Sequence, residues 1–225
     1  MHIEPGVVTG AKIALSYVTA SGALLLAGKR AIEEIEARGL GSVIARSAIA
    51  TAAVFSFFEI LPHHAVGVSE VHLILGSSLF LILGAAPAAI GLALGLLIQG
   101  LFFAPFDLPQ YGMNVTTLLV PLFALSTLSR RIIPANTPYV DLTYRHTFTL
   151  SVAFQAGIVS WVAFWVLYGR GLAALPELMT FAGAYMLVVL IEPLVDLALL
   201  AAAKALRGLR ESGLVTRRLF APASS

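Results

Sequence analysis

Long apolar stretches recur along this chain, and they constrain its fold more than any other feature. A helix needs about 18 to 25 apolar residues to cross a hydrocarbon core of about 30 Å. Seven stretches approach that unit, at residues 7–28, 43–61, 72–84, 87–103, 116–128, 147–168 and 176–204. The pattern predicts an all-α integral membrane protein with seven transmembrane helices, in which residues 1–225 form one domain.

One turn signal separates the third stretch from the fourth. The run at 72–103 is almost continuously apolar, and only the sequence Gly-Ala-Ala-Pro at 84–87 interrupts it. A single helix of that length would be about 48 Å long at 1.5 Å per residue, which exceeds the membrane thickness. Two short helices with a tight turn fit better.

The composition agrees with a membrane protein and narrows its chemistry. Hydrophobic residues make up 59% of the chain and charged residues 12%, whereas soluble domains are about 25% charged. The chain has no cysteine, so disulfides, thiolate metal sites and cysteine nucleophiles are excluded. Metal ligands must therefore come from His, Asp, Glu, Met and backbone atoms.

The basic residues predict the orientation, because cytoplasmic loops carry an excess of Lys and Arg. With seven spans, 12 of the 14 basic residues lie on one side, which predicts an outer N-terminus and an inner C-terminus. Four of the five histidines then lie on the outer face. The first residues lack the basic segment of a secretory signal, so we expect the opening segment to be retained. We also expect Met1 to be retained, because methionine aminopeptidase needs a small second residue and His2 is bulky. The 12 residues are Lys29, Arg30, Arg38, Arg46, Arg130, Arg131, Arg145, Lys204, Arg207, Arg210, Arg217 and Arg218.

The first two residues can chelate a metal by themselves. The amine of Met1, the amide nitrogen of His2 and the His2 imidazole form two fused chelate rings in one plane if the metal displaces the amide proton. A second histidine would complete a square of nitrogens, a geometry typical of Ni(II) or Cu(II) rather than zinc. The alternative is a chance histidine after the initiating methionine.

His72 is the preferred fourth ligand, because we expect it to begin the third helix and to project into the mouth of the bundle. His63 and His64 lie in a looser loop with Pro and Gly, which suits capture of metal from solvent. For each of these loop histidines, a solvated side chain is the alternative.

Four other polar residues need an explanation. Glu59 is expected near the outer end of the second helix, either as an acceptor that orients a ligand imidazole or as a carboxylate that reaches the surface. Asn114 either ties a backbone segment to the site or caps a helix. Glu192 and Asp196, spaced i and i+4 in the last helix, are expected to contact a partner subunit or a basic residue.

Three short motifs resemble a known family, the metal-binding membrane subunits (S components, CbiM/NikM type) of energy-coupling factor cobalt and nickel transporters. They are Met1-His2-Ile3 with Gly6, Val71-His72-Leu73 before a glycine-broken apolar run, and Gly112-Met113-Asn114-Val115. The resemblance implies a metal held by Met1, His2 and His72. It also implies a coupling transmembrane subunit, a small membrane subunit and cytosolic ATPases as partners.

We therefore expect a protein of the plasma membrane that captures Ni(II) or Co(II) outside the cell for ATP-driven uptake, with ATP used only by the partner subunits. No zinc-protease, nucleotide-loop or serine-nucleophile motif is present, so we expect neither an enzyme nor a nucleic-acid partner. One alternative is a metal-dependent membrane enzyme with His63, His64 and His72 as ligands and Glu59 or Glu70 as general base. The other is a stand-alone membrane sensor or chaperone for metal.

Overall fold

The fold is mostly helical, with 83% of the described residues in helices. The structure is a computed structural model, and it describes residues 2–211. Within that range the α-helices are α1 (Ile13–Arg38), α2 (Leu40–Phe55), α3 (Gly76–Leu83), α4 (Ala85–Phe102), α5 (Tyr111–Ile132), α6 (Tyr144–Arg170) and α7 (Leu175–Glu211).

A small β-hairpin makes the all-α prediction wrong at one place. Strands β1 (His64–Val66) and β2 (Ser69–Val71) pair antiparallel, with Val66 opposite Ser69. The two-residue connection begins at Gly67, whose φ of +63° is a conformation that glycine adopts without steric cost. Valines on both sides of this turn favour strands over helix.

The N-terminal segment pairs with the other edge of β2. Ile3 forms an isolated antiparallel bridge with Ser69. The Glu4 N–H donates to the carbonyl of Val68 at 3.1 Å, and the Glu70 N–H donates to the carbonyl of His2 at 2.9 Å. This pairing brings His2 beside Glu70.

The third helix begins later than the sequence predicts. It starts at Gly76, so His72 lies in a non-helical segment directly after β2 and does not head the helix. Leu75 has a left-handed backbone, with φ of 54°, which is incompatible with continuing a helix upstream. The predicted break before α4 is confirmed, because α3 ends at Leu83 and α4 begins at Ala85.

Polar contacts show which helix ends meet. Lys12, at the start of α1, donates to the carbonyls of Tyr168 and Gly169 at the end of α6, at 3.0 and 2.9 Å. The hairpin lies at the same end, because a Cβ built on Gly67 would lie 2.9 Å from the carbonyl oxygen of Glu177 near the start of α7. We call this the hairpin end. At the opposite end, Arg46 donates to the carbonyl of Leu83 at 2.7 Å and pairs with Glu34 at 2.9 Å. The chain between β2 and α4 therefore runs from one end of the bundle to the other.

Close helix contacts depend on small residues, most clearly between α2 and α4. A Cβ built on Gly91 would lie 2.4 Å from the Cβ of Ala50, and one on Gly95 would lie 2.6 Å from Cγ1 of Val54. The two helices therefore approach closely because these positions lack side chains.

Five helical stretches of the described chain are long and apolar enough to cross a membrane: Gly10–Arg38, Leu40–Ile60, Ala85–Phe102, Pro105–Ile132 and Tyr144–Gly208. The last contains both α6 and α7. Helix α3 is about 12 Å long, too short to cross alone. The chain is thus a helical membrane protein, whereas seven spans and the orientation of the termini stay predictions.

We predict that Gly91→Ala lowers stability, although Gly→Ala in a helix interior usually raises it by about 0.5–1 kcal/mol. The new methyl group meets Ala50 and forces the helices apart, at a cost of about 1–3 kcal/mol. The control is Gly22→Ala on α1, where no atom lies within 4 Å of the added Cβ. Thermal unfolding in detergent measures both, and equal effects of the two substitutions would contradict this packing.

Candidate metal centre

The N-terminal segment is held in place through its backbone. The carbonyl of His2 accepts hydrogen bonds from the Glu70 N–H and from the Ser69 hydroxyl, the latter at 2.8 Å. The Ile3 N–H donates to Oδ1 of Asn114 at 2.8 Å. These contacts fix His2 inside the protein, where it is 2% exposed.

The His2 imidazole contacts a carboxylate. Its Nδ1 lies 2.5 Å from Oε2 of Glu70, while its Nε2 is buried and has no hydrogen-bond partner among the described residues. Burial lowers the pKa of His2, which favours the neutral ring. Burial, the largest single influence, raises the pKa of Glu70, but the hydrogen bond from His2 and the nearby positive charges together outweigh it, so the net pKa is lowered. The Nδ1–H of a neutral His2 therefore donates to an ionised Glu70.

His72 has a defined tautomer. Its Nδ1 lies 3.0 Å from the carbonyl oxygen of Leu73, and because a carbonyl only accepts, this nitrogen carries the proton. The other nitrogen, Nε2, then has a lone pair. It is buried without a hydrogen-bond partner in the part of the chain that the structure describes. This is the arrangement in which a histidine binds a metal through one nitrogen and is oriented through the other.

The two histidines face each other beside an aromatic ring. Their ring centroids are 5.8 Å apart. Phe58 lies 4.6 Å from the His72 ring and 6.0 Å from the His2 ring, and it is fully buried. It belongs to a π-helical turn, Ser56–Ile60, that continues α2. Such turns redirect side chains and are frequent at functional sites.

A metal ion could be held by three side chains here. His2, Glu70 and His72 each offer one ligand atom, and these atoms lie within 4.8 Å of one another. Imidazole nitrogens suit Co, Ni, Cu and Zn ions, and a carboxylate adds a negative charge. The chemistry of the donors therefore suits a divalent transition metal.

The predicted ligands meet in part. His2 and His72 lie together, while Met1 lies outside the described residues. His63 and His64 are exposed, and the metal-ligand group of the described chain does not include them. The three histidines of the enzyme alternative are therefore not assembled there.

The predicted supporting residues differ in outcome. Asn114 lies in the first turn of α5 and accepts a hydrogen bond from the N-terminal segment. It does not cap that helix, because the residue before α5 is Gln110. Glu59 is half-buried in the π-helical turn, and in the described chain the carboxylate bonded to His2 is that of Glu70.

The expected contacts of Glu192 and Asp196 are wrong. Both side chains are fully buried and accept hydrogen bonds from residues of their own chain. Glu192 accepts from the N–H groups of Ile74 and Leu75, and Asp196 accepts from two serines at the start of α3. Acidic side chains buried inside the bundle need hydrogen-bond donors, and here backbone N–H groups and serine hydroxyls supply them.

Sequence reasoning did not single out Glu70 as the partner of His2, or Phe58. One signal for Glu70 was present. Residues 70 and 72 alternate in a short valine-rich segment after Gly67, and alternate side chains of an extended chain point to the same face. No comparable signal marks Phe58, because an aromatic residue in an apolar helix is ordinary.

Fold and site together define a class: helical membrane proteins with a buried group of possible metal ligands at one end of the bundle. The model of the CbiM family, the cobalt uptake substrate-specific transmembrane region, matches residues 2–208. The chain belongs to this family of transport proteins.

Two solved structures share the fold. One, described as a truncated transition metal transporter, has a TM-score of 0.69 and 20% sequence identity, and the match covers 89% of this chain and 97% of the other. The second, a transition metal transporter, has a TM-score of 0.68 and 19% identity, with 98% of each chain covered. Comparison with curated protein sequences gives no significant match.

We predict that Asn114→Leu loosens the N-terminal segment by about 1–3 kcal/mol, because the buried N–H of Ile3 loses its acceptor. Hydrogen–deuterium exchange should become faster at the Ile3 amide. Asn114→Asp is the matched control, since it keeps the acceptor oxygen. Unchanged exchange in Asn114→Leu would show that this hydrogen bond does not hold the segment.

Proposed function

We propose that this protein captures Ni(II) or Co(II) at the hairpin end and is the substrate-specific subunit for ATP-driven uptake of that ion. The observation that carries the proposal is the group formed by His2, Glu70 and His72, whose ligand atoms lie within 4.8 Å of one another. The cobalt uptake family to which the chain belongs supports a transported metal rather than a structural one.

The proposed donors are the amine of Met1, the amide nitrogen and Nδ1 of His2, and Nε2 of His72. Only Nδ1 closes a six-membered ring with the amide nitrogen of the same residue, so this nitrogen faces the metal. Nδ1 now bonds to Glu70 at 2.5 Å. The incoming metal therefore replaces the proton between His2 and Glu70, and binding releases protons.

Charge balance supports a place for Glu70 beside the metal. The deprotonated amide and the Glu70 carboxylate carry two negative charges together, and a divalent ion carries two positive charges. A buried site tolerates charge best when it is neutral overall. Glu70 thus contributes charge next to the square of nitrogens.

The hairpin end is proposed to face the outside of the cell, across the plasma membrane. Basic residues at the opposite end support this orientation, since cytoplasmic loops are rich in Lys and Arg. They include Arg46, which binds the end of α3, and Arg207, which pairs with Asp141 at 2.5 Å.

Energy for uptake is proposed to come from other chains, because this sequence has no glycine-rich nucleotide loop. The partners are cytosolic ATPases, a coupling transmembrane subunit and a small membrane subunit.

The first test changes the terminus. Inserting Ala between Met1 and His2 enlarges a chelate ring, and an N-terminal tag converts the amine into an amide, so both should abolish Ni(II) binding. The metal content and visible absorption of the purified protein measure this. A tag after Ser225 adds mass without changing the donors and is the control. Equal metal in the native and N-terminally extended proteins would exclude the terminal amine as a ligand.

The second test removes the imidazole of His72. His72→Ala should weaken Ni(II) binding by more than roughly 10–100-fold, which is the loss expected when a residue that only orients a metal ligand is removed. Titration of the purified protein with Ni(II) would show this. The control is the double variant His63→Ala and His64→Ala, because both side chains are exposed. Loss of binding in the double variant but not in His72→Ala would assign the site to the hairpin loop instead.

A further inference from the structure

The segment that carries His72 has backbone N–H groups that regular secondary structure does not pair. It follows β2 and precedes α3, so neither a sheet nor a helix pairs its N–H groups. Ile74 is fully buried and Leu75 is 7% exposed, so water cannot serve as the acceptor. Non-helical backbone at membrane depth is tolerated only where the protein satisfies it.

Glu192, in the middle of α7, supplies the acceptor. Its Oε1 accepts from the N–H groups of Ile74 and Leu75, the second at 3.0 Å. Its Oε2 accepts from Nε2 of Gln155 on α6. Gln155 is itself held, because its Oε1 accepts from the hydroxyl of Tyr185 at 2.5 Å. Two long helices therefore fix the carboxylate.

A single peptide unit joins Glu192 to His72. The carbonyl that accepts from Nδ1 of His72 belongs to Leu73, and the N–H that donates to Glu192 belongs to Ile74. These two groups are the ends of one peptide plane, and in a trans peptide they point in opposite directions. Fixing the N–H on Glu192 therefore fixes the carbonyl that orients the imidazole.

We infer that Glu192 is a positioning residue for the metal ligand His72: it holds the Leu73–Ile74 peptide so that Nε2 of His72 faces the site. The inference rests on the proposed function. Without this carboxylate the peptide can rotate and the left-handed backbone of Leu75, with φ of 54°, loses the contact that maintains it.

Asp196 offers a matched control on the same helix. It is one turn further along α7 and is also fully buried. Its oxygens accept from the hydroxyls of Ser77, at 2.5 Å, and Ser78. Those serines belong to α3 and not to the peptide beside His72, so loss of Asp196 removes a comparable buried carboxylate without freeing the ligand.

The experiment uses the full chain in lipid nanodiscs, with Ni(II) as the probe. Glu192→Leu should weaken Ni(II) binding about 10–100-fold and shift the visible absorption toward that of the His72→Ala variant. Asp196→Leu should lower the melting temperature but leave affinity and absorption close to the native values. Glu192→Gln should restore binding, since it keeps both the length and one acceptor oxygen.

Two further variants keep the result interpretable. Glu192→Asp retains the charge but withdraws the carboxylate by about 1.5 Å, one carbon–carbon bond. It should therefore weaken Ni(II) binding, and it provides the test if Glu192→Leu does not fold. Glu192→Gln and Glu192→Asp therefore differ in binding although both preserve most of the packing. In a His72→Ala background, Glu192→Asp should cause no further loss, because its effect passes through that imidazole.

Different outcomes overturn different statements. Native affinity and absorption in folded Glu192→Asp and Glu192→Leu would refute the positioning role while leaving the metal site intact. An equal loss in Asp196→Leu would also refute it, since the cause would be general destabilisation. Native affinity in His72→Ala would contradict the proposed function itself.

Discussion

The structure depends on one constraint: a backbone N–H or C=O group buried among apolar side chains must find its partner within the protein. The helices meet this constraint internally, but the chain between Gly67 and Gly76 is not helical. Its backbone pairs with β1, with the N-terminal segment on the other edge of β2 and, at Ile74 and Leu75, with Glu192. The N-terminus, the hairpin and α7 therefore meet at one place, and the two buried histidines lie there.

Helix α7 contacts the non-helical segment between β1 and α3 at two places along that segment. Near the start of α7, a Cβ on Gly67 would lie 2.9 Å from the carbonyl oxygen of Glu177. Further along the helix, Glu192 accepts a hydrogen bond from the Leu75 N–H. From 177 to 192 a helix rises about 22 Å, and eight extended residues from 67 to 75 span about 26 Å. The segment with His72 can therefore lie extended along α7, which explains why this helix supplies its acceptor.

Each histidine of the candidate site is oriented through one ring nitrogen. For His72 the partner is a backbone carbonyl of the next residue. For His2 it is the Glu70 carboxylate, which in the proposed donor set gives up Nδ1 to the metal. A buried hydrogen bond of this kind selects one tautomer and limits rotation of the ring. Apart from the two imidazoles, the donors of the proposed set are the Met1 amine and the His2 amide nitrogen. Because these groups belong to the N-terminal segment, docking of that segment and assembly of the site are a single event.

Much of this protein could be predicted from its sequence, because hydropathy and ligand chemistry are local properties. Apolar runs predicted the positions of the long helices, the Gly-Ala-Ala-Pro sequence predicted the break between α3 and α4, and His2 and His72 were identified as candidates by their chemistry. The tertiary structure alone decided that His72 precedes α3 in an extended segment, since an apolar run looks the same as a buried strand or as a helix. It also decided the hydrogen-bond partners of Glu70 and Glu192, which are 68 and 118 residues away. Hydrogen bonds across such separations depend on how the helices pack, and no local pattern of residues records them.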